Sequence, residues 1–136
     1  MIRGKKLEFN YTASVGLTHA NTKSFEDKNG SFWIAFPFEN LRKVDPTGNV
    51  TIFDKNNGLP GDPLHLIIGD ERLSLLSKDG HGTLWLTDLR TMNSEILAKH
   101  PPESFSEPTY SYEDSEGSIW VGTLRSGLFR FRKQII

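Results

Sequence analysis

The sequence predicts an all-β fold of about three four-stranded antiparallel meanders, arranged as β-propeller blades in a ring that is incomplete or completed by oligomerisation. Three observations lead there. One phrase is written three times, beginning at Asp27, Asp79 and Asp114: Asp, two intervening residues, Gly, Ser or Thr, an apolar residue, then Trp. All three tryptophans of the chain, Trp33, Trp85 and Trp120, stand at its end. Next, 12 glycines and 7 prolines punctuate short apolar runs, and no window sustains a 3.6-residue period. Finally, the phrases recur at 52 and then 35 residues, near the period of propeller repeats, which is about 40–50 residues.

The elements follow in order. Residues 1–18 read as an N-terminal strand segment, the last strand of a blade or the remnant of a β-sandwich. Residues 19–132 carry the repeats, in units of approximately 19–60, 61–106 and 107–136. In the first unit, Asp27 to Gly30 is a hairpin turn, because Asp and Asn bond their own backbone and Gly supplies positive φ. Strands are expected at about 19–26, 31–36, 41–45 and 50–54, the second apolar enough to be buried on both faces. Pro46-Thr47-Gly48-Asn49 makes the last turn. In the second unit Leu73 to Ser77 reads as the leading strand, with Leu64-His65-Leu66-Ile67-Ile68 as an additional apolar segment before it. A weak strand is expected around Met92 to Ala98, ended by Pro101-Pro102. In the third unit Leu128-Phe129-Arg130-Phe131-Arg132 puts both Phe on one strand face and its Arg residues on the other. The tryptophans are expected between neighbouring blades.

Composition narrows the function classes. The formal net charge is -1 over 136 residues and there is no basic block, so a nucleic-acid partner is not expected. No cysteine is present, which excludes disulfides, thiolate zinc sites and cysteine nucleophiles. No apolar run approaches the roughly 20 residues of a transmembrane helix. The N-terminus has charge but no following apolar stretch, so it does not read as a secretory signal. If the natural protein is exported, the chain is expected to be processed or an excerpt.

The first and third units, with the intervening Gly58-Leu59-Pro60, resemble the two-component regulator propeller repeats of bacterial hybrid sensors. The matching words are Glu26-Asp27-x-x-Gly30-x-x-Trp33, Glu113-Asp114-x-x-Gly117-x-x-Trp120-Val121-Gly122-Thr123 and Gly127-Leu128-Phe129-Arg130-Phe131. The resemblance covers roughly residues 20 to 132. The middle unit departs from it, carrying Trp85-Leu86-Thr87-Asp88 in place of Trp-x-Gly-Thr. Lys6 to Ala13 resembles the opening strand of the small β-sandwich that follows such propellers. The resemblance implies a periplasmic location, which the chain itself leaves unknown, and a sensing role in signal transduction.

Candidate chemistry is sparse. Asp27, Asp79 and Asp114, with Gly30, Gly82 and Gly117, recur in every unit, which favours a turn-forming role over metal binding or catalysis. His19, His65, His81 and His100 show no metal-ligand spacing, and no cofactor or metal is expected. There is no Gly-x-Ser-x-Gly elbow and no phosphate loop. Propeller ligands usually meet loops at one end of the ring, which singles out Phe38 and Arg125 at one shared offset after Trp.

The expected function is a non-enzymatic ligand-sensing module, taking a carbohydrate or another small extracellular ligand. The alternative is a protein-interaction module, with a homo-oligomer completing the ring. A degenerate glycoside-active propeller comes last, since it needs paired carboxylates in one cleft.

Overall fold

The computed structural model describes residues 23–70, 72–105 and 108–132. The expectations for residues 1–18 and for the start of the first strand lie outside these, as does the chain after Arg132. The described residues are all-β, with eleven strands and no helix.

The first four strands form their own sheet in the order β1-β2-β3-β4. They are β1 Lys23–Glu26, β2 Phe32–Phe36, β3 Asn40–Val44 and β4 Val50–Phe53; β1 ends where expected, and the other three lie within a residue of their expected places. Pairing is antiparallel throughout, with Phe25 opposite Trp33 and Trp33 opposite Lys43. The apolar run of β2 is explained by burial on both sides. Trp33 and Ala35 face one core cluster, Ile34 and Phe36 another.

The other seven strands make one curled sheet, ordered β11-β10-β9-β5-β6-β7-β8. They are β5 Asp62–Gly69, β6 Leu73–Lys78, β7 Leu84–Asp88, β8 Asn93–Ala98, β9 Pro108–Glu113, β10 Ile119–Thr123 and β11 Leu128–Phe131. Strands β5 to β8 form one antiparallel meander and β9 to β11 another. A short parallel seam joins them, Ile68 opposite Tyr112 and Gly69 opposite Glu113. Gly69 leaves little room at that seam. A Cβ there would stand 3.1 Å from the Glu113 Cβ and 3.3 Å from the Arg72 carbonyl oxygen.

The second unit differs from the sequence reading. The segment Leu64 to Ile68 is not an addition ahead of the unit but the body of β5, its first strand. Leu73–Lys78 is then second. The Asp-to-Trp phrase therefore joins first and second strands in the first and third meanders, and second and third strands in the second. That shift of one strand turns Trp85 to the opposite sheet face. Trp33 faces the second meander, whereas Trp85 lies on the Leu75 and Thr87 face, which looks back at the first sheet.

Two clusters hold the meanders together, one between the two sheets and one inside the curl of the second. Trp33, Ala35 and Leu41 of the first sheet pack on Leu59, Leu66, Leu75 and Leu89. Inside the curl, Leu64, Ile67, Leu76, Leu84 and Leu86 meet Ile119, Val121 and Phe105. A bulge at Leu64 interrupts the alternation of β5, which lets Leu64 and Ile67 serve one cluster while Leu66 serves the other. Phe105 sets its ring edge-on to Phe129 and Phe131, at 5.2 and 5.5 Å between centroids.

Candidate functional site

The three repeated phrases fold into the same hydrogen-bonded unit. In each, the Gly amide returns to the Asp carbonyl, at 3.1, 3.1 and 3.0 Å. The glycines hold φ of 82°, 81° and 83°, in the left-handed region that favours Gly. One Asp oxygen caps the turn. Asp27 Oδ1 accepts from the amides of Asn29 and Ser31, Asp79 Oδ1 from His81 and Thr83, and Asp114 Oδ1 from Glu116 and Ser118. The other oxygen crosses the hairpin to the tryptophan six residues on. The indole Nε1–H donates to Asp27 Oδ2 at 2.8 Å, and to Asp79 and Asp114 Oδ2 at 2.9 Å.

These bonds favour ionised carboxylates. The Trp85 indole holds the Asp79 carboxyl below its usual range, and the Trp120 indole does the same for Asp114. For Asp27 burial works upward, but the Trp33 indole and the Ser31 and Asn29 amides outweigh it, and the net shift is down. A carboxylate with both oxygens so engaged serves the hairpin. Among the described residues, no group of three or more His, Asp and Glu is arranged to hold a metal ion. Two indoles also carry a cation from the neighbouring strand: Lys43 Nζ lies 5.1 Å from the Trp33 ring centroid and Arg130 Cζ 5.0 Å from that of Trp120.

Two further polar groups tie the second meander to the third. Ser111 Oγ donates to the Leu66 carbonyl at 2.7 Å and so accepts from His65 Nδ1 at 2.8 Å. The Ser111 proton is committed to the backbone, so His65 positions this hydroxyl and does not activate it as a nucleophile. Burial and the charge of Lys23 push His65 down to about 4, leaving a neutral imidazole at physiological pH. Beside the parallel seam, Arg72 grips Glu113 through two bonds of 2.7 Å and lies 3.8 Å from Asp88. The bonds to Glu113 raise the Arg72 pKa further.

An open groove of about 1100 Å³ runs between the β7–β8 side of the curl and the β10–β11 side. Its apolar floor includes Leu86, Ile119 and Phe131, and polar groups such as Asn93, Glu95 and His100 line it. The Arg72–Glu113–Asp88 cluster closes one part of the wall. Polar and charged side chains outnumber apolar ones in its lining, so the groove suits a polar ligand of moderate size and not an apolar one.

The structure unites each repeated Asp with its own Trp but leaves the two loop residues apart. Phe38 sits in the β2–β3 turn of the four-stranded sheet, exposed, with φ of 63°. Its amide donates to the Pro63 carbonyl at 2.7 Å, which straps this turn to the start of β5. Arg125 is exposed in the β10–β11 turn of the other sheet. Neither lines the groove. Sequence reasoning missed the groove, and also Arg72 with Glu113 and His65 with Ser111. These pairs lie 41 and 46 residues apart, and no local pattern joins them. The indole bond could have been found, since Asp and Trp hold one spacing in all three phrases.

No protein-family model matches the chain, and neither curated proteins nor solved structures show a similar one.

Proposed function

We propose that this chain is a non-enzymatic binding and sensing module built of propeller-type blades. The groove between the β7–β8 and β10–β11 sides carries the binding reading. Its volume suits a short oligosaccharide or a similar small extracellular ligand. The blade reading is supported by the threefold Asp–Trp unit and by the contact of β5 with both β1 and β9, the first strands of the other meanders. Taken with the resemblance to two-component regulator propeller repeats, it supports the reading of the chain as part of a sensor whose bound state is passed to a kinase elsewhere. Phe38 and Arg125, at matching turns, are the proposed loop contacts of a fuller ring. No cofactor enters this reading. The carboxylates Asp88 and Glu113 are already engaged by Arg72, which disfavours glycoside hydrolysis.

The test is amide chemical-shift mapping with a panel of neutral and acidic oligosaccharides. Binding in the groove moves resonances of β8, β10 and β11 together. Shifts confined to other strands, or none across the panel, refute this site. Hydrolysis of a panel member refutes the non-enzymatic reading.

A second reading, an interaction or self-assembly module, is favoured by the exposure of Tyr110 and Leu128 on the third meander.

A further inference from the structure

The first and third meanders can be compared residue by residue across one sheet face, because their phrases occupy the same strands. On the first, Phe25, Trp33 and Lys43 lie opposite one another, with Ala35 opposite Leu41. On the third, Tyr112, Trp120 and Arg130 take the first three places, Gly122 and Leu128 the other two. Lys23 of the first meander becomes Tyr110. The third face is thus at least as apolar as the first.

Their surroundings differ completely. In the first meander this face is a packing surface: Leu41 is 0% exposed, beneath the leucines of the second meander. The corresponding Leu128 is 61% exposed and Tyr110 56%. The opposite side of β10, through Ile119 and Val121, faces the interior of the curl. The third meander therefore shows solvent the side that its sister buries. Adjacent large apolar residues exposed on one sheet face mark an interaction site.

We infer that this face of the third meander, centred on Tyr110, Trp120 and Leu128, binds the same face of a second copy of the chain. The inference rests on the interaction-module reading and names its surface. Among the described residues, a second copy has one apolar sheet face left uncovered to offer as a partner surface. Its second-meander leucines are already covered by its own first sheet. Of six exposed large hydrophobics among the described residues, Tyr110 and Leu128 lie on this face and Leu124 lies in the adjoining turn. A patch that pairs with itself does so about a two-fold axis, and the assembly closes at two. Charge permits it, since the exposed Glu116 and the partly exposed Arg130 lie 3.9 Å apart and each can meet the other's counterpart across the axis. Aromatic side chains bury about 150–250 Å² each, so this three-stranded face falls short of the roughly 800 Å² per partner of a stable complex. The dimer is therefore weak and reversible.

The experiment is light scattering of the whole chain from about 10 μM to about 1 mM, a range that brackets weak association. Wild type is compared with Leu128→Glu and with Ile52→Glu, an exposed site on the other sheet. Near-ultraviolet circular dichroism checks that each variant keeps its fold. The expected mass climbs from 15.4 kDa toward twice that value and stops. Leu128→Glu stays monomeric and Ile52→Glu behaves as wild type. A dimer that survives Leu128→Glu overturns the assigned face while leaving an interaction module standing. Growth past two copies overturns the two-fold arrangement. A constant monomer overturns both the face and the self-assembly reading beneath it.

Discussion

Replacing Asp27 with alanine removes three hydrogen bonds in one step, and the structure shows what each loss does. The Asn29 amide is exposed and returns to water. The other two donors are less fortunate. Ser31 is 5% exposed and Trp33 4%, so the Ser31 amide and the indole N–H lose a charged acceptor in places water reaches poorly. A buried donor left without a partner costs about 1–3 kcal/mol. Two of them, toward the lower part of that range, cost about 3 kcal/mol, or a fall in Tm of about 10 °C for a chain of this size. The companion variant Asp114→Ala breaks the same set of bonds, but Trp120 is only partly buried and its indole can turn to solvent. It loses less. Urea unfolding followed by tryptophan fluorescence measures both. Equal losses in the two variants refute the reasoning, as does a loss below about 1 kcal/mol for Asp27→Ala.

Other outcomes follow from the seam and from His65. The His65 pKa falls from its ordinary 6.5 to about 4 in the fold, so the unfolded chain binds more protons between those values. Its contribution is complete above about pH 6.5 and is lost as pH falls toward 4, by about 3 kcal/mol in all. Urea midpoints measured across that window decline in wild type and flatten in His65→Gln. Arg72→Met leaves the largely buried Glu113 carboxylate without its partner and costs about 3 kcal/mol. Adding Glu113→Leu recovers most of this in the same unfolding assay, and no recovery argues against the pairing. Gly61→Ala places a Cβ 2.5 Å from the Lys78 carbonyl oxygen. The backbone must move, and we expect a loss of about 3 kcal/mol by thermal melting.

The sequence reveals most where structure is local. Asp27 to Gly30 can be read as a hairpin because Asp caps nearby amides and Gly supplies positive φ. The four strands of the first unit follow from apolar runs between such turns. The second unit shows where that reading ends. Leu64 to Ile68 is plainly apolar, but an apolar run does not say which strand it will pair with, and its place as β5 is decided by β6 and by distant β9. The groove arises from that same non-local choice, because the curl exists only once β5 and β9 pair. Phe105 follows Pro101-Pro102 in a segment that reads as a break, yet its ring is buried against Phe129 and Phe131. The loop residues Phe38 and Arg125 share an offset from Trp, which places them at like turns but on separate sheets.

Nitrogen–proton correlation spectra of the three indole groups report on the threefold Asp–Trp unit itself. Three indole signals should appear, each slowed in solvent exchange, and Asp27→Asn, Asp79→Asn and Asp114→Asn should each move chiefly the signal of the tryptophan six residues on. Indole protons that exchange as freely as those of an unfolded chain, or three substitutions that disturb all three signals alike, would contradict it.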